Sequence, residues 1–422
     1  MFGKHKTDAL VVGAGPVGML TALSLAQRGV GVEIIDAQWR PAARSYALAL
    51  HPQTLALIEG FGFADELIAR GTRIGKVAFY EGPDRRAEVD YGALDGDYPF
   101  LLILPQQAFE DALERKLVER KIKVRWNHRL ARMELGDEQA TAWVHKLDKD
   151  SVGYATATTE WVVAKEIETH AKFLVGADGH SSLVRRALEL PFSDLGGTQY
   201  FGVFEFAADI DIAEVRVVLE PERTNVLWPL GGGRFRWSFQ MEPPNQPSGV
   251  GERPKSRLSV QIGEEVFPYL DRDRLGALIA ERAPWFTARI GDIMWSLGVR
   301  FERRLVERFG RQMVWLVGDA AHLAMPVGVH SMNVGLREGD EVARCVAGAL
   351  QGADTHGGLS QYSERALEEW RHLLAIEGGV TVSAEASDWV RDHADRLAAV
   401  VPATGRHRET LLSQIGLSTQ SG

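Results

Sequence analysis

The sequence predicts an α/β protein: a doubly wound, Rossmann-like sheet, an inserted second domain built on a β-sheet, and helices at the C-terminal end. Three glycine–aspartate signals predict it: GAGPVG at Gly13 to Gly18, GADG at Gly176 to Gly179, and GDAAH at Gly318 to His322. Each follows a short apolar run of the kind that forms a buried strand. The first also runs into a helix-like stretch, MLTALSLAQRG, completing a strand–turn–helix unit.

The first turn has the chemistry a dinucleotide requires. Gly13 permits the tight turn, Gly15 lets backbone approach a pyrophosphate, and Gly18 lets helix and strand pack closely. Pro16 and Val17 stand where the helix begins, beside the phosphates. The next strand, GVEIID, ends at Asp36, the place of the acid that hydrogen-bonds an adenosine ribose. An acid there favours a free 2′-hydroxyl, so FAD or NAD is expected in this site rather than NADP.

At 422 residues the chain is too long for one ordinary core, and two domains, or one with a large insertion, are expected. The balance of 48 basic against 57 acidic residues offers no basic stripe for nucleic acid. The single cysteine, Cys345, excludes an intrachain disulfide and a cysteine-based metal cluster; it fits a reducing cytoplasm and reads as a small apolar helix residue. No metal site is expected. Lys4 and Lys6 precede an apolar stretch that the glycine turn interrupts, so it reads as neither a signal peptide nor a membrane span.

The segment to about residue 75 reads strand, helix, strand and then the helical HPQTLALIEGFGFADELIARG. A short, turn-rich stretch follows from Lys76, and PQQAFEDALERKLVERK resumes as an amphipathic helix. Residues 123–172 alternate as antiparallel strands do, and FLVGADG returns to a buried strand. Residues 197–305 carry aromatic-rich β segments, FGVFEFAADI, EVRVVLE, NVLWPL and RFRWSFQ, and form the inserted sheet domain. VWLVGDAAH is again a buried strand, residues 332–350 and 359–400 read as helices, and the last twenty residues are polar and read as partly loose.

With the three motifs in this order, the chain resembles the group A FAD-dependent aromatic hydroxylases, flavoprotein monooxygenases with the para-hydroxybenzoate hydroxylase fold, over most of residues 7–350. The resemblance implies a discontinuous FAD-binding domain at 1–75, 100–195 and 305–350, a substrate domain at 76–99 and 196–304, and a C-terminal helical region at 351–422. It implies tightly but non-covalently bound FAD. It places Asp178 and Gly179 near the pyrophosphate and the transient nicotinamide site, and Gly318 and Asp319 at the ribityl chain and pyrophosphate. Arg44 matches the family arginine that reaches the phosphates, and Gln106 the glutamine near the ribityl chain. PVGVHSMNVGLREG, residues 326–339, takes the place of a loop read as P-x-G-G-Q-G-M-N-x-G-x-x-D-A, which meets the pyrimidine edge of the flavin. Pro326, Gly328, Met332, Asn333 and Gly335 agree with it; Val329, His330, Ser331 and the pair Glu338-Gly339 depart from it.

No second GxGxxG follows a strand in residues 100–422, so NADPH or NADH is expected to visit without a Rossmann domain of its own. The resemblance then implies oxygenation of an aromatic small molecule, polycyclic ones included, with O2 and a flavin C4a-hydroperoxide. Strand alternation nominates Tyr46, Leu48, Trp228, Leu230, Phe239, Trp295, Leu297, Pro326 and Val327 for an apolar pocket. Arg234 and Arg236 alternate on one strand and could take a carboxylate. His330 is the candidate proton acceptor beside the flavin loop, with Pro326 next to it in the catalytic set; a structural role is the alternative. His322 reads as a loop-fixing residue and His51 as a helix cap. Two other functions remain open: a flavin-dependent reductase of isoprenoid chains, and a non-catalytic escort-type binding protein. Oligomeric state is left undetermined.

Overall fold

A computed structural model describes residues 5–39, 49–152, 158–243, 261–262, 265–266, 270–352 and 355–419. Arg44, Tyr46 and Leu48 lie outside the described residues. In the strand His5–Val12 the residues Ala9, Leu10, Val11 and Val12 are all buried, which makes it a central strand covered on both faces. It pairs in parallel with Val32–Ile35 and with the end of Thr158–Gly176. Val314–Leu316 follows in parallel, and Gly310–Arg311 closes the edge antiparallel. Val12 lies beside Ile35 and Gly176, and Gly176 beside Leu316. The three glycine motifs therefore leave neighbouring strands at their carboxyl ends, the edge where open α/β sheets bind ligands.

Two expectations change here. The last antiparallel strand and the buried strand after it are a single strand, Thr158–Gly176. Its first part pairs antiparallel with Ala140–Val152, which pairs with His128–Leu135, and its end enters the parallel sheet. The stretch expected as one helix after His51 is two, Pro52–Glu59 and Ala64–Arg70, divided where Gly62 takes a φ of +73°.

The second large sheet runs in the order Ile290–Phe301, Gln199–Ala208, Arg234–Met241, Thr224–Gly231, Val215–Leu219, Lys76–Glu81, Asp84–Asp90. All neighbours are antiparallel except Val215–Leu219 with Lys76–Glu81. Both faces are buried. One packs Phe204, Phe206, Phe235, Trp237 and Phe239 under the helix Arg272–Arg282. The other joins Val203, Val226 and Trp228 to Val327 and Val329 of the loop before the helix His330–Leu350.

The C-terminal region is folded, against the expectation of a loose tail. After the helix Thr355–Leu373 come the strand Val380–Val382, the helices Asp388–Asp392, Ala394–Val400 and Gly405–Ser413, and the strand Leu417–Thr419, which pairs with Val380–Val382. Leu411, Leu412 and Leu417 bury one stripe of an otherwise polar segment, which is enough to hold it. Among the described residues no helix is long and apolar enough to cross a membrane, and no cluster of metal-ligating side chains occurs.

Candidate active site

A cleft of about 440 Å³ opens at the carboxyl edge of the first sheet. Gly13, Gly15, Asp36, Gln106, Glu110, Asp178, Gly179, His128, Arg129 and Arg186 line it. Gly13 has a φ of +106°, and a Cβ there would meet the Ala177 carbonyl oxygen at 2.1 Å, so only glycine lets the turns after the first and third parallel strands touch. A Cβ on Gly18 would meet the Gly13 carbonyl oxygen at 2.0 Å, whereas one on Gly15 would project into open space. Pro16 opens the helix Pro16–Gln27 directly after Gly15, and Val17 lies against Gly318 of the third motif. Asp36 accepts from Ala14 N at 2.6 Å and Gln38 N at 2.7 Å, which fixes its carboxylate at the mouth of the turn. Gln106 Nε2 donates to Glu110 Oε1 at 2.6 Å. An open cradle at Gly15, the helix N-terminus behind it, an acid at the ribose position and flanking arginines fit the diphosphate and sugar of FAD.

Asp178 has local duties. It accepts from Ser182 Oγ at 2.5 Å, Leu183 N at 2.7 Å and Val184 N at 3.2 Å, and so folds the GADG turn. Burial pushes its carboxyl up, while these hydrogen bonds pull it down. Arg185, buried behind the turn, donates to Ala320 O at 2.8 Å and His180 O at 2.7 Å, locking the second motif to the third. In the third motif Gly318 takes a φ of +62° and Asp319 is exposed. Glu338, which replaces an aspartate of the resembled loop, is buried beneath this motif. Its Oε2 accepts from Gly318 N and His322 Nε2, both at 2.9 Å, and its Oε1 from Trp370 Nε1 at 2.7 Å. Burial pushes the Glu338 carboxyl up, but His322 and these hydrogen bonds outweigh it and hold the group below the usual carboxylate range.

In the loop at 326–333 the side chains of His330 and Asn333 are held by groups of the protein itself. The His330 ring is anchored at one nitrogen: its Nε2 lies 3.1 Å from Val401 O and 3.2 Å from Ala403 O. Carbonyls only accept, so Nε2 carries the proton and is committed to the C-terminal segment. Burial, with Arg408 nearby, drops its pKa to about 4. The side-chain amide of Asn333 is fully used within the protein. It donates to Ala49 O and Val329 O and accepts from His51 N and Thr54 Oγ1, leaving no capacity over. His51 caps its helix by position only; the ring donates from Nε2 to Gly328 O at 3.1 Å. Pro326 opens the turn by accepting from Val329 N at 3.2 Å, a role in shape rather than proton transfer. Gly328 is required because a Cβ would strike the His330 ring at 2.2 Å. Ser331 Oγ accepts from Ala324 N at 3.2 Å, and Met332 is half-buried against the first core.

Trp228, Leu230, Trp295 and Leu297 of the inserted sheet share one apolar cluster with Val327 of the loop. Phe239 does not belong with them. It stacks on Trp237, ring centroids 4.7 Å apart, on the opposite face under the helix Arg272–Arg282. Alternation puts Arg236 and Ser238 on the Trp228 face instead. One transverse row there runs Trp295, Glu205, Arg236, Trp228 across four strands. Glu205 Oε2 accepts from Arg236 Nη2 at 2.9 Å and from Trp295 Nε1 at 3.1 Å. Arg236 thus already has a counter-charge. Arg234 is exposed.

A family model described as "FAD binding domain" matches residues 6–375. The chain belongs to the FAD-binding-domain family. Among curated relatives it is 28% identical over 375 residues to an uncharacterized aromatic compound monooxygenase, YhjG, of Bacillus subtilis (strain 168), covering 85% of this chain and 65% of that one. It is 26% identical to 6-methylpretetramide 4-monooxygenase of Streptomyces rimosus, covering 87% and 60%. The chain thus spans less than two thirds of the length of these two relatives. In fold it matches the crystal structure of p-nitrophenol 4-monooxygenase PnpA from Pseudomonas putida DLL-E4, with a TM-score of 0.69 at 21% identity over 99% of this chain and 100% of that one. The fold is that of the group A flavoprotein hydroxylases. Within this family frame, sequence reading missed Glu110, Arg185 and Glu205. Glu110 stands four residues after Gln106, on the same helix face, which was its available signal; the other two declare themselves only through distant partners.

Proposed function

We propose that the chain is an FAD-dependent monooxygenase that uses NADPH or NADH and O2 to hydroxylate an aromatic small molecule, polycyclic ones included. The observation that carries this reading is the loop 326–333, which follows the third glycine motif of the dinucleotide cleft and places Val327 in the apolar face of the inserted sheet. FAD bound in the cleft supplies the oxygen-activating chemistry. The residues of this chain hold it and keep water out: Arg185 and Glu338 fix the two loops against its diphosphate, and Trp228, Leu230, Trp295 and Leu297 present a dry wall to an aromatic ring. The Glu205–Arg236–Trp295 row is a neutral polar strip in that wall. It suits a ring bearing hydroxyl or carbonyl groups better than an isoprenoid chain. The single cysteine fits a reducing cytoplasm.

The experiment is a panel of phenols and polycyclic quinols incubated with the FAD-loaded protein, NADPH or NADH, and isotopically labelled O2. Substrate-stimulated nucleotide oxidation with one labelled oxygen atom in the product supports the reading. A product gaining two hydrogens and no oxygen indicates the reductase instead, and protein that takes up no FAD indicates neither enzyme.

A further inference from the structure

Glu110 lies one turn into the helix Gln106–Glu119, whose Phe109, Ala112, Leu113 and Leu117 bury themselves in the first core. Its own side chain lines the dinucleotide cleft beside Gly13, Asp36 and Gln106. The residue is 2% exposed. Oε1 accepts from Gln106 Nε2, but Oε2 is buried and, among the described residues, has no hydrogen-bond partner. An orphaned polar atom in the wall of a binding cleft is costly, and the cost is relieved when a ligand supplies the partner.

We propose that Glu110 is part of the cofactor site, presenting Oε2 to a phosphate oxygen of FAD while Oε1 fixes the amide of Gln106. The inference rests on FAD being the occupant of the cleft. Oε2 can meet a phosphate oxygen only as a donor, so the carboxyl must be neutral in the complex. The surroundings favour that form. Burial first, then Asp111, Asp36 and Glu114, push the carboxyl up to about 7, against the hydrogen bond from Gln106. Among the described residues, the other charged or titratable groups facing the cleft are Asp178 and Arg186 from the second glycine turn and its helix, and His128 and Arg129 from the antiparallel strands. The two arginines balance the phosphates. The phosphates in turn disfavour a negative Glu110 further, so binding raises its pKa and takes up protons. By linkage, FAD affinity is full below about pH 7 and falls above it, by up to about tenfold per pH unit.

The test is FAD titration of the apoprotein, followed by flavin fluorescence from pH 6 to 8.5, for the wild type, Glu110→Gln and Glu110→Leu. Glu110→Gln keeps both a donor and an acceptor without a titration; it should lose the wild-type slope above pH 7 and bind at pH 8 at least as tightly as the wild type. Glu110→Leu should bind more weakly at every pH, on the order of tenfold. Circular dichroism of both apoproteins checks folding. Calorimetry of the wild type in two buffers of different ionisation enthalpy needs no variant: proton uptake on FAD binding at pH 7.5 is expected, and its absence overturns the proposal. A Glu110→Gln protein with the wild-type pH slope also overturns it, as does a Glu110→Leu protein with wild-type affinity. A wild-type apoprotein that does not bind FAD overturns the cofactor reading itself, and this proposal with it.

Discussion

At His330 a buried imidazole is tied to two carbonyls of the C-terminal segment, and the ring of His51 meets it edge-on at 5.8 Å. Both pKa values are depressed, His330 to about 4, chiefly by burial. The native state therefore holds neutral rings that the unfolded chain protonates below about pH 6.5. The stabilisation is complete above that pH and is lost as pH falls toward 4. For His330 it amounts to roughly 3 kcal/mol at most. Urea melts at pH 7 and pH 4.5 should show a smaller acid loss for His330→Gln than for the wild type; equal losses would remove His330 from the acid response. Its neighbour Val329 has a φ of 51° and a ψ of 35°, left-handed backbone that a β-branched residue adopts only at a cost. Val329 is also buried in the substrate-side cluster. Val329→Ala loses that burial and keeps most of the strain; Val329→Gly loses it and relieves about 1 kcal/mol. Glycine should thus be the less damaging substitution by thermal melting, and the reverse order would deny the strain.

Between elements, the contact of the helix His330–Leu350 with the helix Pro16–Gln27 decides how the loop 326–329 sits over the first turn. Gly335 and Gly339 make the approach close: a Cβ on Gly335 would meet Gly318 Cα at 2.9 Å, and one on Gly339 would meet Thr21 Oγ1 at 2.3 Å. Gly339 stands where the resembled loop has alanine, and Thr21 is the reason. Gly339→Ala should push the helices apart and cost about 1–3 kcal/mol, the range for overpacking a tight contact. FAD retention should fall with it, because Val17 and Gly318 share that contact. Adding Thr21→Ala removes the obstructing hydroxyl and should restore most of the loss. A Gly339→Ala protein as stable as the wild type would show that the helices have room. The identity of this interface was only half legible: glycine spacing is visible in sequence, but its partner lies more than 300 residues away.

Across the whole molecule, residues 376–419 lie beyond the family match yet bind the parts together. Tyr91 Oη donates to Pro402 O at 2.7 Å, Thr404 Oγ1 to Gln53 Oε1 at 2.6 Å, and His330 to Val401 and Ala403. Arg396 donates to the carbonyls of Glu220, Pro221 and Arg223 and to Thr224 Oγ1, clamping the turn between two strands of the inserted sheet. These contacts join the inserted sheet, the helix after His51 and the loop 326–333. Arg396→Ala should lower stability by about 2–3 kcal/mol, the loss of charge-assisted hydrogen bonds, and leave FAD content unchanged because no cleft residue touches it. Denaturant melts beside flavin absorbance measure both, and flavin loss at constant stability would contradict the assignment.

The sequence by itself determined the α/β class, the first turn with Gly13, Gly15, Gly18 and Asp36, and the family, because these depend on residues a few positions apart whose backbone needs are local. Only the tertiary structure decided which side of the inserted sheet faces the loop of Val327 and Val329. Arg234–Met241 is buried on both faces, so alternation of apolar and polar residues, the usual sign of inside and outside, is erased, and Phe239 falls on the far side. It also decided the work of His330, Glu338 and Arg396. Their residue types allow catalysis, ion pairing or packing equally, and the choice was made by carbonyls, a buried indole and a turn that the chain brings to them from 32 to 176 residues away.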